Sequence, residues 1–159
     1  MENPFAILSL IVAPAILTNA SSVLIMSTSN RLARSVDRAR ELSKQLEAEF
    51  DLKSPVAARR LRELAASETR ALLLLKGLRS FYAALGGFAC AALISLLGTA
   101  LVAFETPLFV QLMEGTGIGV GVLAVAALVN GSRLLLTETR IAVTVLSERA
   151  ADVRSRAMF

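Results

Sequence analysis

The sequence predicts an all-α membrane protein with three transmembrane helices, a long cytoplasmic helical hairpin and a cytoplasmic C-terminal helix. Three observations predict it. Residues 4–26, 80–104 and 115–132 carry no charged side chain. Each run reaches or approaches the roughly 20 apolar residues that cross a hydrocarbon core of about 30 Å. The 159 residues are 55% hydrophobic, with a mean hydropathy of +0.62. Soluble domains hold roughly 45–50% apolar residues, and here the excess is clustered in those runs. Finally, all 17 Lys and Arg residues lie between or after the runs, twelve from Arg31 to Arg79 and five from Arg133 to Arg156. Helices are the expected spanning form, because barrels need many shorter alternating segments.

The first span is placed at residues 4–28. A cleaved signal peptide would carry positive charge before its apolar core, whereas Met1, Glu2 and Asn3 carry none and the basic run follows the span. A retained anchor is therefore expected. Its inner half is polar: Thr18, Asn19, Ser21, Ser22, Ser27, Thr28, Ser29 and Asn30. Asn19, Ser22 and Met26 share one helical face. Such residues either hydrogen-bond between helices or line a water-filled path formed by several copies. Thr18, Asn19, Ser22 and Met26 are the pore-lining candidates.

Residues 29–80 form the hairpin. Leu32, Val36, Ala39, Leu42, Leu46 and Phe50 make a narrow apolar stripe on an otherwise charged helix, a stripe that needs a partner. Asp51 to Pro55 break the pattern, with Ser54 as N-cap and Pro55 at the first helical position of the second arm. That arm places Leu61, Leu64, Ala65, Leu72 and Leu75 on one side. Each arm is expected to continue unbroken into its neighbouring span. Arg31, Arg34 and Arg38 fall at the inner membrane boundary, where they would meet lipid headgroups or counter-ions. Nucleic acid is not an expected partner, because ten acids share this side with the 17 bases and aromatic residues are not interleaved.

The second span covers residues 81–104, the outer turn 105–110, the third span 111–133 and the C-terminal helix 134–159. Gly87, Ala91 and Ser95 form a small-residue face on the second span, and Cys90 reads as a packing residue there. Pro107 suits a helix start. Gly115, Gly117, Gly119 and Gly121 give the third span two overlapping small-xxx-small pairs for close helix approach. The Thr116 to Gly119 run is similar to a carbonyl-lined filter, but the flanking segments are too short for a pore helix and a second full span. Ile141, Val145 and Leu146 are expected to pack the C-terminal helix on the hairpin.

Positive charge marks the cytoplasmic side, so the N-terminus faces outward and the C-terminus inward. Glu105 and Glu114 then sit at the outer face, where an oligomer would present them as an acidic, cation-attracting mouth. The chain has no histidine and one cysteine, which excludes a histidine base and an internal disulfide. No nucleophile–base pair, phosphate loop or metal-ligand set is visible, so no enzyme activity, cofactor or metal is expected.

Pro4-Phe5 and Ala13-Pro14-Ala15, followed by Asn30-Arg31-Leu32-Ala33-Arg34 and Asp37-Arg38-Ala39-Arg40, carry a family resemblance. In these motifs the chain resembles the bacterial membrane proteins grouped as domain-of-unknown-function family 2721. The resemblance covers the chain from the first span through the third, and its most specific part is the Asn-Arg…Asp-Arg-x-Arg segment. It implies a small three-span inner-membrane protein and no particular activity. Taken with the residues, the expected function is a homo-oligomeric channel or pore, with cations favoured. The alternative is a non-conducting membrane-anchored scaffold or accessory subunit that recruits a cytoplasmic protein partner.

Overall fold

The computed structural model describes residues 4–49, 53–101 and 107–157. They form three helices, α1 (Pro4–Glu47), α2 (Pro55–Leu101) and α3 (Pro107–Ala157), and no strand occurs among the described residues. α1 and α2 each run without a break through an uncharged run and its neighbouring hairpin arm. The third uncharged run likewise continues into the C-terminal segment within α3, so the tail is not a separate helix.

The helix ends follow local chemistry. The Ser54 hydroxyl accepts the Ala57 backbone N–H at 3.1 Å, and the Ser54 carbonyl accepts the Ala58 N–H at 3.0 Å, which caps α2 behind Pro55. At the end of α1 the Glu49 N–H reaches the Leu46 carbonyl at 3.2 Å, a tightened last turn. α3 starts at Pro107, inside the expected outer turn, because proline lacks the N–H that a first helical residue leaves unused. Glu105 and Phe50 lie outside the described residues.

The chain divides into two compact units: Met1–Met26 with Leu78–Gly131, and Ser27–Gly77 with Ser132–Phe159. In the first, the inside is made of small side chains and two phenylalanines: Ser21, Phe81, Ala84, Phe88, Ala91, Gly117, Ala124 and Gly131 are buried. The outside carries large apolar residues, among them Ile16, Val23, Leu93, Leu112, Ile118 and Leu123. A soluble bundle distributes size the other way, with its large apolar side chains inside. Membrane helices put small residues at contacts and large ones toward lipid.

Among the described residues two helices, not three, are long and apolar enough to cross a membrane, over Pro55–Thr99 and Leu108–Glu148. Only 17% and 11% of their apolar windows are buried within the chain, so the remaining apolar surface faces something other than this chain. The first expected span begins at residues 4–11, whose side chains lie outside those described.

In the second unit Leu42, Leu46, Ala57, Leu74 and Gly77 are buried together with the polar Thr28, Ser35, Ser67 and Glu138. Of the α1 stripe, Leu42 and Leu46 are buried inside the chain, Leu42 at 1% exposed, and Leu32, Val36 and Ala39 are half-buried. The stripe expected on the second arm is not the buried one. Leu61, Leu72 and Leu75 are exposed, and Ser67, Leu74 and Gly77 take their place. Leu146 is exposed as well, while Ile141 and Val145 are half-buried.

A seven-residue repeat explains the choice. Buried positions recur at 21, 28, 35 and 42 in α1, at 67, 74, 81 and 88 in α2, and at 117, 124, 131 and 138 in α3. Helices that supercoil left-handedly repeat every 3.5 residues, so every seventh residue returns to the seam. Most of these seam positions hold Ser, Thr, Gly or Ala, or the single charge of Glu138. A search for large apolar side chains therefore misses the repeat.

Candidate functional site

Two groups of polar side chains stand out, one in each unit. In the first unit, α1 carries Thr18, Asn19, Ser22 and Met26. Thr18 is half-buried, and Asn19, Ser22 and Met26 are exposed on the chain's surface. The Ser22 hydroxyl donates to the Thr18 carbonyl at 3.0 Å, and the buried Ser21 hydroxyl to the Leu17 carbonyl at 2.8 Å. These hydroxyls are satisfied within the helix. Among the described residues no partner reaches the Asn19 side-chain amide.

The glycines divide sharply. A Cβ at Gly87 would stand 2.7 Å from Ala124 Cβ, and one at Gly117 would stand 3.3 Å from Ile94 and 3.8 Å from the Ser95 hydroxyl. The small faces of α2 and α3 thus meet at these two positions. Gly115, Gly119 and Gly121 have nothing within 4 Å of such a Cβ, so packing within the chain does not use them. The closest approach involves a glycine not singled out above, Gly131, whose Cβ would stand 2.6 Å from the Phe81 ring. Cys90, expected to pack, is exposed. Glu114 is exposed too. Asn130 donates to the Ser80 hydroxyl at 2.9 Å, tying α3 to α2.

The second unit holds an ionic centre. Glu138 of α3 is fully buried. One of its oxygens accepts Arg31 Nη2 of α1 at 2.7 Å, and the other accepts Arg70 Nε and Nη2 of α2, each at 2.8 Å. Arg31 Nη2 also donates to the Thr139 hydroxyl at 3.0 Å. One carboxylate thus joins three helices. Burying a charge is costly unless it is paired and hydrogen-bonded, and Glu138 meets both conditions. The Arg31 and Arg70 side chains remain about one-third exposed, at 33% and 31%.

Beside this centre, Arg31, Arg34, Ser35, Arg38, Ser67 and Arg70 line a cleft of about 260 Å³. Arg38 is held by Glu63 through Nε at 2.8 Å, and the Ser35 hydroxyl donates to the Ser67 carbonyl at 3.0 Å. Nearer the hairpin tip Arg60 pairs with Glu49. The structure thus brings Arg31, Arg34 and Arg38 to one wall, and adds Arg70, Ser35 and Ser67, which sequence reasoning missed. Their only signal was register: Ser35 and Ser67 occupy seven-residue seam positions, and Arg70 lies three residues after Ser67.

Among the described residues one fully enclosed side-chain oxygen is unmatched. The Thr28 hydroxyl, on a fully buried residue, has no hydrogen-bond partner among the described residues. Among the described residues no group of three or more His, Cys, Asp or Glu side chains is placed to hold a metal ion.

No curated protein and no solved structure matches this chain. A family model does, over residues 11–148, which include all of α1 from the middle of its apolar run, all of α2, and α3 through Glu148. Its description is "Protein of unknown function (DUF2721)", and by that match the chain belongs to the DUF2721 family.

Proposed function

We propose that this protein is a homo-oligomeric integral membrane protein in which copies of α1 line a pore. In this reading the chain crosses the bacterial inner membrane three times, residues 4–28 adding the first crossing, with the N-terminus outside and the C-terminus in the cytoplasm. It acts without catalysis. The observation that carries the proposal is the exposed Asn19 amide, set on an α1 surface with the exposed Ile16 and Val23 nearby in the chain. In hydrocarbon an amide without a partner costs several kcal/mol. A second copy, or water in a path shared by several copies, removes that cost. One three-helix chain is too small to enclose such a path alone. Ser22 and Met26 would continue the lining, and Glu114 supports a preference for cations.

Ion flux into liposomes reconstituted with the purified protein tests the pore, with Asn19→Leu and Ser22→Leu alongside. Flux that both substitutions reduce is expected. Absent flux, or flux indifferent to both, overturns the reading, as does a stable monomer in mild detergent. Orientation is tested separately with Thr106→Cys in a Cys90→Ala background, where an impermeant thiol reagent should label from outside only.

A non-conducting, membrane-anchored scaffold or accessory subunit is the second reading. It is favoured by apolar residues exposed on the second unit beyond the uncharged runs: Val56, Leu61, Val143 and Leu146. A protein partner seated there would leave flux at background while polar substitutions such as Leu61→Ser and Leu146→Ser abolished recruitment.

A further inference from the structure

We infer that the cleft lined by Arg31, Arg34, Ser35, Arg38, Ser67 and Arg70 binds an anionic phosphate group. The inference is independent of the pore, since a protein that conducts nothing would bind the anion equally well.

Four guanidiniums face one cleft of about 260 Å³. Two carboxylates hold three of them: Glu138 bridges Arg31 and Arg70, and Glu63 takes Arg38. Four positive charges against two negative ones leave an excess of two, close to the charge of a phosphate monoester. No carboxylate partner reaches Arg34 among the described residues. Neither carboxylate is part of the lining, which consists of four arginines and two serines.

The donors are also held in place. Arg31 spends Nη2 on Glu138 and Thr139, and Arg70 spends Nε and Nη2 on Glu138. Each retains N–H groups not engaged by these bonds, since a guanidinium carries five. A guanidinium fixed on a buried carboxylate loses little side-chain freedom on binding, and its fork geometry suits phosphate oxygens.

Ser67 supplies an independent indication. It is 5% exposed and lines the cleft. Its carbonyl accepts from Ser35, but its own hydroxyl makes no hydrogen bond among the described residues. A nearly buried hydroxyl without an acceptor, at the wall of a cationic cleft, has a donor available for an anion. The volume leaves room for a phosphate with some of its water, at about 30 Å³ per water molecule.

The phosphate has two sources of the same chemistry. Arg31 is the first charged residue after the apolar part of α1, five residues past Met26 and separated from it by the polar Ser27 to Asn30, about 7.5 Å along a helix and within reach of a lipid headgroup. A soluble phosphate compound reaches the cleft from the aqueous side.

Thermal denaturation of the purified full-length protein in a nonionic detergent distinguishes them. Each sample receives inorganic phosphate, sodium chloride at matched ionic strength, short-chain phosphatidylglycerol or short-chain phosphatidylcholine. Variants Arg34→Gln and Ser67→Ala are compared with Arg62→Gln, an exposed arginine outside the lining. The expected result is a rise in midpoint with phosphate or phosphatidylglycerol beyond that with the matched controls. The apparent affinity should fall about tenfold in Arg34→Gln, the loss of one charge-assisted contact, and stay unchanged in Arg62→Gln. Protection by inorganic phosphate identifies a soluble phosphate site, and protection by phosphatidylglycerol alone identifies a headgroup site. Protection by neither, or equal loss in Arg34→Gln and Arg62→Gln, overturns the inference. Arg34 has no buried partner to orphan, so its variant keeps the fold.

Discussion

Gly131 of α3 lies against the ring of Phe81 of α2, so close that a Cβ at position 131 would meet Phe81 Cε1 at 2.6 Å. Phe81 is itself fully buried, and the ring has no solvent side to move toward. Gly131→Ala should therefore destabilise the protein by about 1–3 kcal/mol through overpacking. Thermal denaturation in detergent would read this as a midpoint lowered by roughly 2–4 °C per kcal/mol. Phe81→Leu in the same chain should recover part of the loss. Gly119→Ala provides the contrast: with open space around it, alanine should be neutral or stabilise by up to about 1 kcal/mol through helix propensity.

Glu138 is the acid whose removal should hurt most. Glu138→Gln leaves Arg31 and Arg70 facing each other without their shared carboxylate. Breaking a buried pair costs about 3–5 kcal/mol, and the low end applies because both arginines are partly in water. Glu63→Gln, which frees the more exposed Arg38, should cost about 1 kcal/mol or less. Equal losses in the two variants would show that Glu138 is no more than a surface ion pair. Replacing Arg31, Arg70 and Glu138 together by methionine should restore stability, since an apolar substitute avoids desolvation altogether.

Thr28 presents the reverse case. Its buried hydroxyl has no partner among the described residues, and a buried polar group without one costs about 1–3 kcal/mol. Thr28→Val keeps the shape and removes the penalty, so the midpoint should rise. A fall would mean that the hydroxyl is bonded in the purified protein, to water or to another copy.

The α2 cap gives a more local test. Ser54→Ala removes the acceptor for the Ala57 N–H and should cost about 1 kcal/mol, whereas Ser54→Asp should keep most of the stability. Circular dichroism melts of the three proteins would separate loss of the cap from a general intolerance of change at the hairpin tip.

Much of the fold was legible along the chain because it rests on local rules. The helices follow from uncharged runs and charged amphipathic segments, the start of α2 from Ser54 and Pro55, and the start of α3 from Pro107. The inward face of the first hairpin arm was legible too, since Leu42 and Leu46 are large and apolar. The second arm misled for the same reason. Leu61, Leu72 and Leu75 advertise a core by size, yet the seam is built from Ser67, Leu74 and Gly77. Small side chains allow close approach but leave no hydropathy signal.

The sequence by itself determined the all-helical class, the helix starts, the two long apolar stretches of α2 and α3, and the confinement of the basic residues to the segments between and after the uncharged runs. Those depend on neighbours a few positions apart. Only the tertiary structure decided that Glu138 is buried, and that it takes its partners from α1 and α2, 107 and 68 residues away. An acid in a charge-rich helix reads as solvated until other helices remove its water, and that removal depends on which seam faces inward. The same holds for the arginine cleft. Arg31, Arg34 and Arg38 recur along one helix, but a wall for a ligand exists only when Arg70 and Ser67 of a second helix are packed opposite them.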